Sequence, residues 1–370
     1  MAATRGDLAS LLRDLVAIDS VNPDLVPGGA GEGELAAFVA AWCERAGLEA
    51  QVAEAAPGRP NVVAVARGSG GGRSLLLNAH LDTVGVAGME EPFSGRIEGG
   101  RLFGRGAYDM KAGLAAALAA AARARGLGLR GDVIVTAVAD EEVASLGTEA
   151  LVAAGVTADA AIVAEPTEER LAVAHKGFVA LELSTEGRAA HGSRPDLGID
   201  AIARMGHVLV RLERLDEELR AGTGNPLLGT GSLHASLVEG GQEYSSYPAS
   251  CVLKAERRTI PGETVEQVAD EARALLGDVP GDVRVLFSRP PLETPLDAEI
   301  ATLVGRHAAG AEVCGMAFWA DSALLAAAGI PTVLYGPRGE GAHAEVEWVE
   351  LASVERCAGV YAAVAAELRA

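Results

Sequence analysis

Chemistry first shows where an uncharged run, Leu75-Leu76-Leu77-Asn78-Ala79, ends in His80 and, two residues on, Asp82. On a strand, a period of two points both side chains the same way. An imidazole there can bind a metal ion or a proton while the carboxylate steadies the ring. A strand end facing solvent would read the same, so the weight falls on four later segments. These carry Asp109, the pair Glu141-Glu142 behind Asp140, Glu165 and His343. Each has a plain reading too: Asp109 as the cap of the following helix, and the three adjacent acids as a surface turn. Together, two imidazoles and several carboxylates without a cysteine form a nitrogen–oxygen set suited to zinc, cobalt or manganese. The surplus of carboxylates points to two cations, because a bridging carboxylate offsets part of their repulsion. Such a pair can share a hydroxide and clamp the oxyanion formed when it attacks a carbonyl. A second glutamate beside a ligand is then a natural proton shuttle. Spacing alone does not prove that residues between positions 80 and 343 converge.

The elements that would position these residues alternate. Helices are expected over 8–18 and 31–47, where Leu11, Leu12, Leu15 and Val16, then Leu35, Phe38, Val39 and Trp42, recur at helical spacing. Short strands are expected at Val62–Ala66, Leu75–Asn78, Val133–Ala137 and Ala160–Ala164, with an alanine-rich helix over 112–125. Strand, polar turn and helix in rotation favour an α/β layer with polar groups collected at strand ends. From residue 176 the rhythm changes. Phe178–Thr185 alternates like a half-buried strand, 199–219 reads as a long helix, and strands follow at Gly231–Val238, Ala249–Arg258 and Val283–Phe287. A helix beginning near Thr264 completes the order β-α-β-β-α-β of a ferredoxin-like unit. The expectation is therefore one domain made of 1–176 and 291–370, with a second domain, 177–290, inserted into it.

A chain of 370 residues, 49% of them hydrophobic, exceeds the size at which single cores usually divide. The net charge of −20 argues against a nucleic-acid partner, which needs a basic face. Met1-Ala-Ala-Thr-Arg-Gly-Asp lacks the pattern of a signal peptide, and an apolar run long enough for a membrane span is missing. The scattered Cys43, Cys251, Cys314 and Cys357 fit reduced thiols in a cytoplasm.

Eight segments, in order along nearly the whole chain, carry a resemblance. They are Asn78–Val84, Gly104–Gly113, Ala139–Glu142, Ala164–Thr167, Ala190–Gly192, Glu256–Glu263, Gly329–Thr332 and Ala342-His343. In these the chain resembles the M20 family of metallopeptidases and aminoacylases, which includes acetylornithine deacetylase, succinyl-diaminopimelate desuccinylase and the glutamate carboxypeptidases. The resemblance implies a zinc-exopeptidase-like mixed-sheet catalytic domain with the inserted domain serving as a lid and in dimerisation. It implies two divalent cations, zinc foremost and cobalt or manganese as substitutes. Asp109 would bridge them, one ion also taking His80 and Glu165, the other Glu142 and His343. Glu141 would be the general base, Asp82 would orient His80, and His191 would reach the carbonyl oxygen, in some relatives from the other subunit of a homodimer.

Substrate contacts are expected at Arg258, Arg338, His234, Gly336 and Trp319. Of the neighbours Arg257 and Arg258, which point to opposite faces of a strand, one is expected to be structural, with Arg258 favoured for function. His234 stands where desuccinylase-like members tend to have asparagine. The implied reaction is hydrolysis of the amide of an N-acyl amino acid, as in arginine biosynthesis by acetylornithine deacetylase. A dipeptidase or carboxypeptidase of the same family is the rival enzyme, and a metal-free binding protein on the same scaffold the rival of another class.

Overall fold

The computed structural model describes residues 5–368; residues 1–4, which carry part of the N-terminal stretch discussed above, and 369–370 lie outside them. The chain divides into two units. The first runs to Val173 and takes in Thr294–Cys314 and the chain from Ala320 onward; the second comprises Ala174–Glu293 with Gly315–Trp319.

The first unit is built on a mixed sheet. Its strands lie in the order Glu49–Ala56, Arg59–Ala66, Val133–Val138, Leu75–His80, Ala160–Val163, Thr332–Leu334, Leu171–His175. The strand Glu49–Ala56, missed in the sequence, has no buried residue and pairs antiparallel with its neighbour, so it lacks the apolar signature of a core strand. Inside the sheet Val133–Val138, Leu75–His80, Ala160–Val163 and Thr332–Leu334 run parallel to one another. All six residues of Leu75–His80 are buried, which explains its continuous apolar run. Parallel strands put their carboxyl ends on one side. There the register sets His80 opposite Val138, two residues before Asp140, and Asn78 opposite Val163, two before Glu165.

Helix Lys111–Ala124 packs on this sheet and is buried along nearly its whole length. Alanine allows that closeness, and at Gly113 an added Cβ would come within 2.1 Å of the Ala164 carbonyl oxygen. A small second sheet joins Gly339–Glu340, Trp348–Glu350, Arg101–Phe103 and Ile97–Glu98 in that order. It sets the turn after Phe103 beside the loop between Glu340 and Trp348.

The second unit holds a four-stranded antiparallel sheet ordered Ser232–Gly240, Ser250–Thr259, Gly177–Glu186, Gly281–Arg289, with helices Ala201–Ala221 and Val265–Leu276. Strand Gly177–Glu186 buries every second residue, and Val179, Leu181 and Leu183 meet Met205, Val208 and Val268 in a core of their own. Thr264 and Gln267 form a reciprocal cap that starts the second helix. No helix of the described residues is long and apolar enough to cross a membrane.

Candidate metal centre

The parallel strand ends of the first unit deliver the candidate ligands. His80 ends its strand 1% exposed. Its Nδ1 lies 2.9 Å from the main-chain carbonyl oxygen of Asp82 and 3.6 Å from the Asp82 carboxylate. The carbonyl, not the expected carboxylate, is thus the nearer partner. A carbonyl only accepts, so Nδ1 carries the proton and Nε2 faces the cluster. There Asp109 Oδ1 lies at 3.2 Å and Glu165 Oε1 at 4.0 Å. The other oxygen of Asp109, Oδ2, lies 3.3 Å from His343 Nε2, which is also 3.1 Å from Glu142 Oε2. Each oxygen of Asp109 therefore meets a different imidazole. The helix that follows begins at Lys111 without a side-chain cap, so Asp109 is not its cap.

The carboxylate of Asp82 has another task. It accepts the backbone N–H of Glu141 at 3.0 Å and of Glu142 at 3.2 Å, and the amide of Asn22 at 2.8 Å. Asn22 also donates to Asp140, which Arg59 joins to Glu32 in a buried ion-pair network. The three adjacent acids are thus divided, and the surface-turn reading fails. Asp140 is neutralised from behind, while Glu141 and Glu142 belong to the cluster. Asn22, Glu32 and Arg59 were not singled out in the sequence. Only the polar residues Arg59 and Asn61, just ahead of the apolar run Val62–Ala66, hinted at them.

The electrostatics show what the cluster lacks. Burial raises the pKa of Glu141, Glu142 and Glu165, and neighbouring carboxylate charges push the same way. At His80 burial opposes the charged ring, yet the hydrogen bond to Asp109 and the charge of Glu165 raise its pKa. Hydrogen bonds to Asp109 and Glu142 raise His343 to about 10. Asp109 goes the other way, because hydrogen bonds from His343 and His80 outweigh the effect of burial. Among the described residues Glu142 Oε1 is buried with no hydrogen-bond partner. Positive charge is in short supply here, and divalent cations would provide it.

Two donor groups lie close enough to hold an ion, His80 with Glu141 and Glu165, and His80 with Asp109 and Glu142. The donors fit a pair of divalent cations. The same buried carboxylates weigh against a metal-free binding protein, since they would repel one another without a cation.

Other expected residues are placed as follows. An added Cβ at Gly336 would lie 2.0 Å from the Glu165 carbonyl oxygen, so this glycine admits the main chain that carries a ligand. Arg338 pairs with Glu169 at 3.6 Å and lines a cavity with Arg356, His307 and Tyr335, apart from the ligand set. His191, His234, Arg258 and Trp319 belong to the second unit. Arg257 is fully buried against Glu263 and Glu271, whereas Arg258 remains partly exposed beside Glu256. Trp319 donates its indole N–H to the Pro290 carbonyl at 3.0 Å, and His234 is exposed on an edge strand. Cys43, Cys251, Cys314 and Cys357 are all buried.

Comparison with known proteins agrees with this geometry. Residues 76–367 match the profile of Peptidase family M20/M25/M40. The chain is 32% identical to an acetylornithine deacetylase of Myxococcus xanthus, covering 98% of this chain and 97% of that protein. It is 28% identical to an N-formyl-4-amino-5-aminomethyl-2-methylpyrimidine deformylase of Halalkalibacterium halodurans, over 94% of this chain and 91% of that one. Its fold matches the crystal structure of aminopeptidase PepT from Bacillus cereus, with a TM-score of 0.80 at 18% identity over the full length of both chains. Fold and donor set together define a metal-dependent amidohydrolase with a dinuclear site for divalent cations, acting on amide or peptide bonds. The chain belongs to Peptidase family M20/M25/M40.

Proposed function

We propose that this enzyme hydrolyses the amide bond of an N-acyl amino acid, with N-acetylornithine as the leading candidate and zinc as the metal. The observation that carries the reading is Asp109, whose two oxygens face His80 and His343 separately. Asp109 would bridge, His80 and Glu165 would complete one site, and Glu142 and His343 the other. When bound, the two cations supply Lewis acidity and lower the pKa of water. Glu141 takes the proton from the attacking water and delivers it to the leaving amine nitrogen. It lies close enough to His80 and Glu165 to serve as a ligand instead, so its role has to be tested by metal content.

His191 is assigned to the developing oxyanion. The backbone N–H of Ser193 donates to its Nδ1 at 3.2 Å, which places the ring proton on Nε2, the atom that would donate to the oxyanion. Arg258, the partly exposed member of its pair, is assigned to the substrate carboxylate, with His234, Trp319 and Gly336 as further contacts; Arg338, held by Glu169 in a cavity apart from the ligand set, is not among them. The strand order of the second unit supports the ferredoxin-like reading. Leu237 and Val238, exposed on its edge strand Ser232–Gly240, support a homodimer formed through this unit.

Assay of the zinc- and cobalt-loaded enzyme on N-acetylornithine, other N-acyl amino acids, N-succinyl-diaminopimelate and dipeptides tests the reading. Amine release fastest from N-acyl amino acids is expected. Preference for dipeptides would make the enzyme a peptidase with the same ligands, and full activity after thorough chelation would end the metal assignment.

A further inference from the structure

Glu347 has no place among the proposed ligands, yet it is 1% exposed and its carboxylate accepts four hydrogen bonds. Oε1 accepts the backbone N–H of Tyr108 at 2.8 Å and of Asp109 at 3.0 Å. Oε2 accepts the N–H of Gly106 at 3.0 Å and Nη1 of Arg105 at 2.6 Å. Arg105 reaches further. Its Nη2 donates to the carbonyl of Ala344, next to His343, at 2.9 Å, and its Nε to the carbonyl of Gly85 at 3.0 Å. Phe103 and Trp348 are paired in the small sheet, so the turn that carries Asp109 and the loop that carries His343 leave the same ladder.

His343 needs such support. It sits at φ +63° and its side chain is 54% exposed, so packing does little to hold it. Nothing in the strand-end argument that places His80 applies to it.

We infer that Glu347 and Arg105 form a positioning clamp that fixes the Asp109 turn against the His343 loop and thereby sets the affinity for the ion those two residues share. The inference rests on the proposed reading of Asp109 and His343 as ligands. All four groups facing Glu347 are N–H donors, so a carboxylate is required. A glutamine amide nitrogen cannot accept, and it would leave buried donors unpaired. Ligand orientation by such outer hydrogen bonds is worth about 10- to 100-fold in metal affinity.

The test uses metal-free full-length wild type, Glu347→Gln and Arg105→Lys. Folding is checked by circular dichroism, and zinc is titrated against a competing chelator. In Glu347→Gln the ion shared by Asp109 and His343 is expected to bind about 10- to 100-fold more weakly, and the ion that keeps His80 and Glu165 to weaken less. Amide exchange at Gly106, Tyr108 and Asp109 should speed up as their acceptors are lost. Arg105→Lys, which keeps a cation for Glu347 but not the fork to Ala344, should show a smaller loss at the same ion. Unchanged binding of both ions, or equal weakening of both, overturns the clamp. If Glu347→Gln does not fold, Arg105→Lys decides by the same criterion. A wild type that fails to bind two ions defeats the ligand reading itself, a result distinct from failure of the clamp alone.

Discussion

The two imidazoles of the cluster are held by different means. His80 ends a buried central strand, its ring fixed by a main-chain carbonyl and backed by the Asn22–Asp82–Asp140–Arg59 network. His343 rides on a loop with left-handed backbone, half in solvent, and is tied back through Ala344 and Glu347. One half of the centre is thus part of the core and the other is appended to it. Residues on the His80 side should therefore couple to folding as well as to metal, whereas those on the His343 side should affect metal with little effect on folding.

The largest effect on rate is expected on the His80 side. Glu141→Gln should lower turnover by about 10²- to 10⁴-fold while elemental analysis still finds two ions per chain. Loss of one ion would make Glu141 a ligand and move the base elsewhere. Behind it, Arg59→Met leaves Glu32 and Asp140 buried without their cation. This should cost about 3–5 kcal/mol in urea unfolding, as breaking a buried ion pair does. A loss below about 1 kcal/mol, the value of a surface pair, would mean that the network does not anchor this half.

A pH test reaches the same side. Asp321, 1% exposed and accepting the Thr148 hydroxyl at 2.7 Å, has His80 and Asp82 among its charged neighbours, and burial pushes it from 3.8 to about 6, above its unfolded value. Its neutral form is thus favoured in the fold, giving stability that is full below pH 3.8 and lost as the pH rises through about 6. Asp321→Asn should remove a fall of up to roughly 3 kcal/mol across that window in the metal-free protein. An identical pH profile in the variant would place the titration on other groups.

The smallest effect on stability belongs to the other half. His343→Ala should shift the melting temperature of the metal-free protein little, by less than about 2 °C, since about 1 kcal/mol moves a chain of this length by only about 1–2 °C. His80→Ala should lower it more, since that ring is fully buried. Equal shifts would erase the distinction between the halves.

Legibility in the sequence follows the same division. His80, Glu141, Glu142 and Glu165 each stand at or just beyond the end of an apolar strand, where a continuous apolar run gives way to polar residues. The strand Leu75–His80 announces itself because it is buried on both faces. Glu49–Ala56 was silent because its exposed residues carry no such pattern. Strand alternation set Arg257 and Arg258 on opposite faces, and in the fold one is buried and the other partly exposed. Glu347 was missed because its partners are main-chain N–H groups, and backbone donors leave no mark in side-chain identity.

The sequence by itself determined the alternation of strands and helices, the chemical character of the donors and the change of rhythm near residue 176. These follow from local periodicity and residue type. Only the tertiary structure decided which oxygen of Asp109 meets which imidazole, that Asp82 holds His80 through its carbonyl, and that Asp140 turns away to Arg59. Those outcomes depend on strand register and on contacts between residues far apart in the chain, which no local pattern encodes.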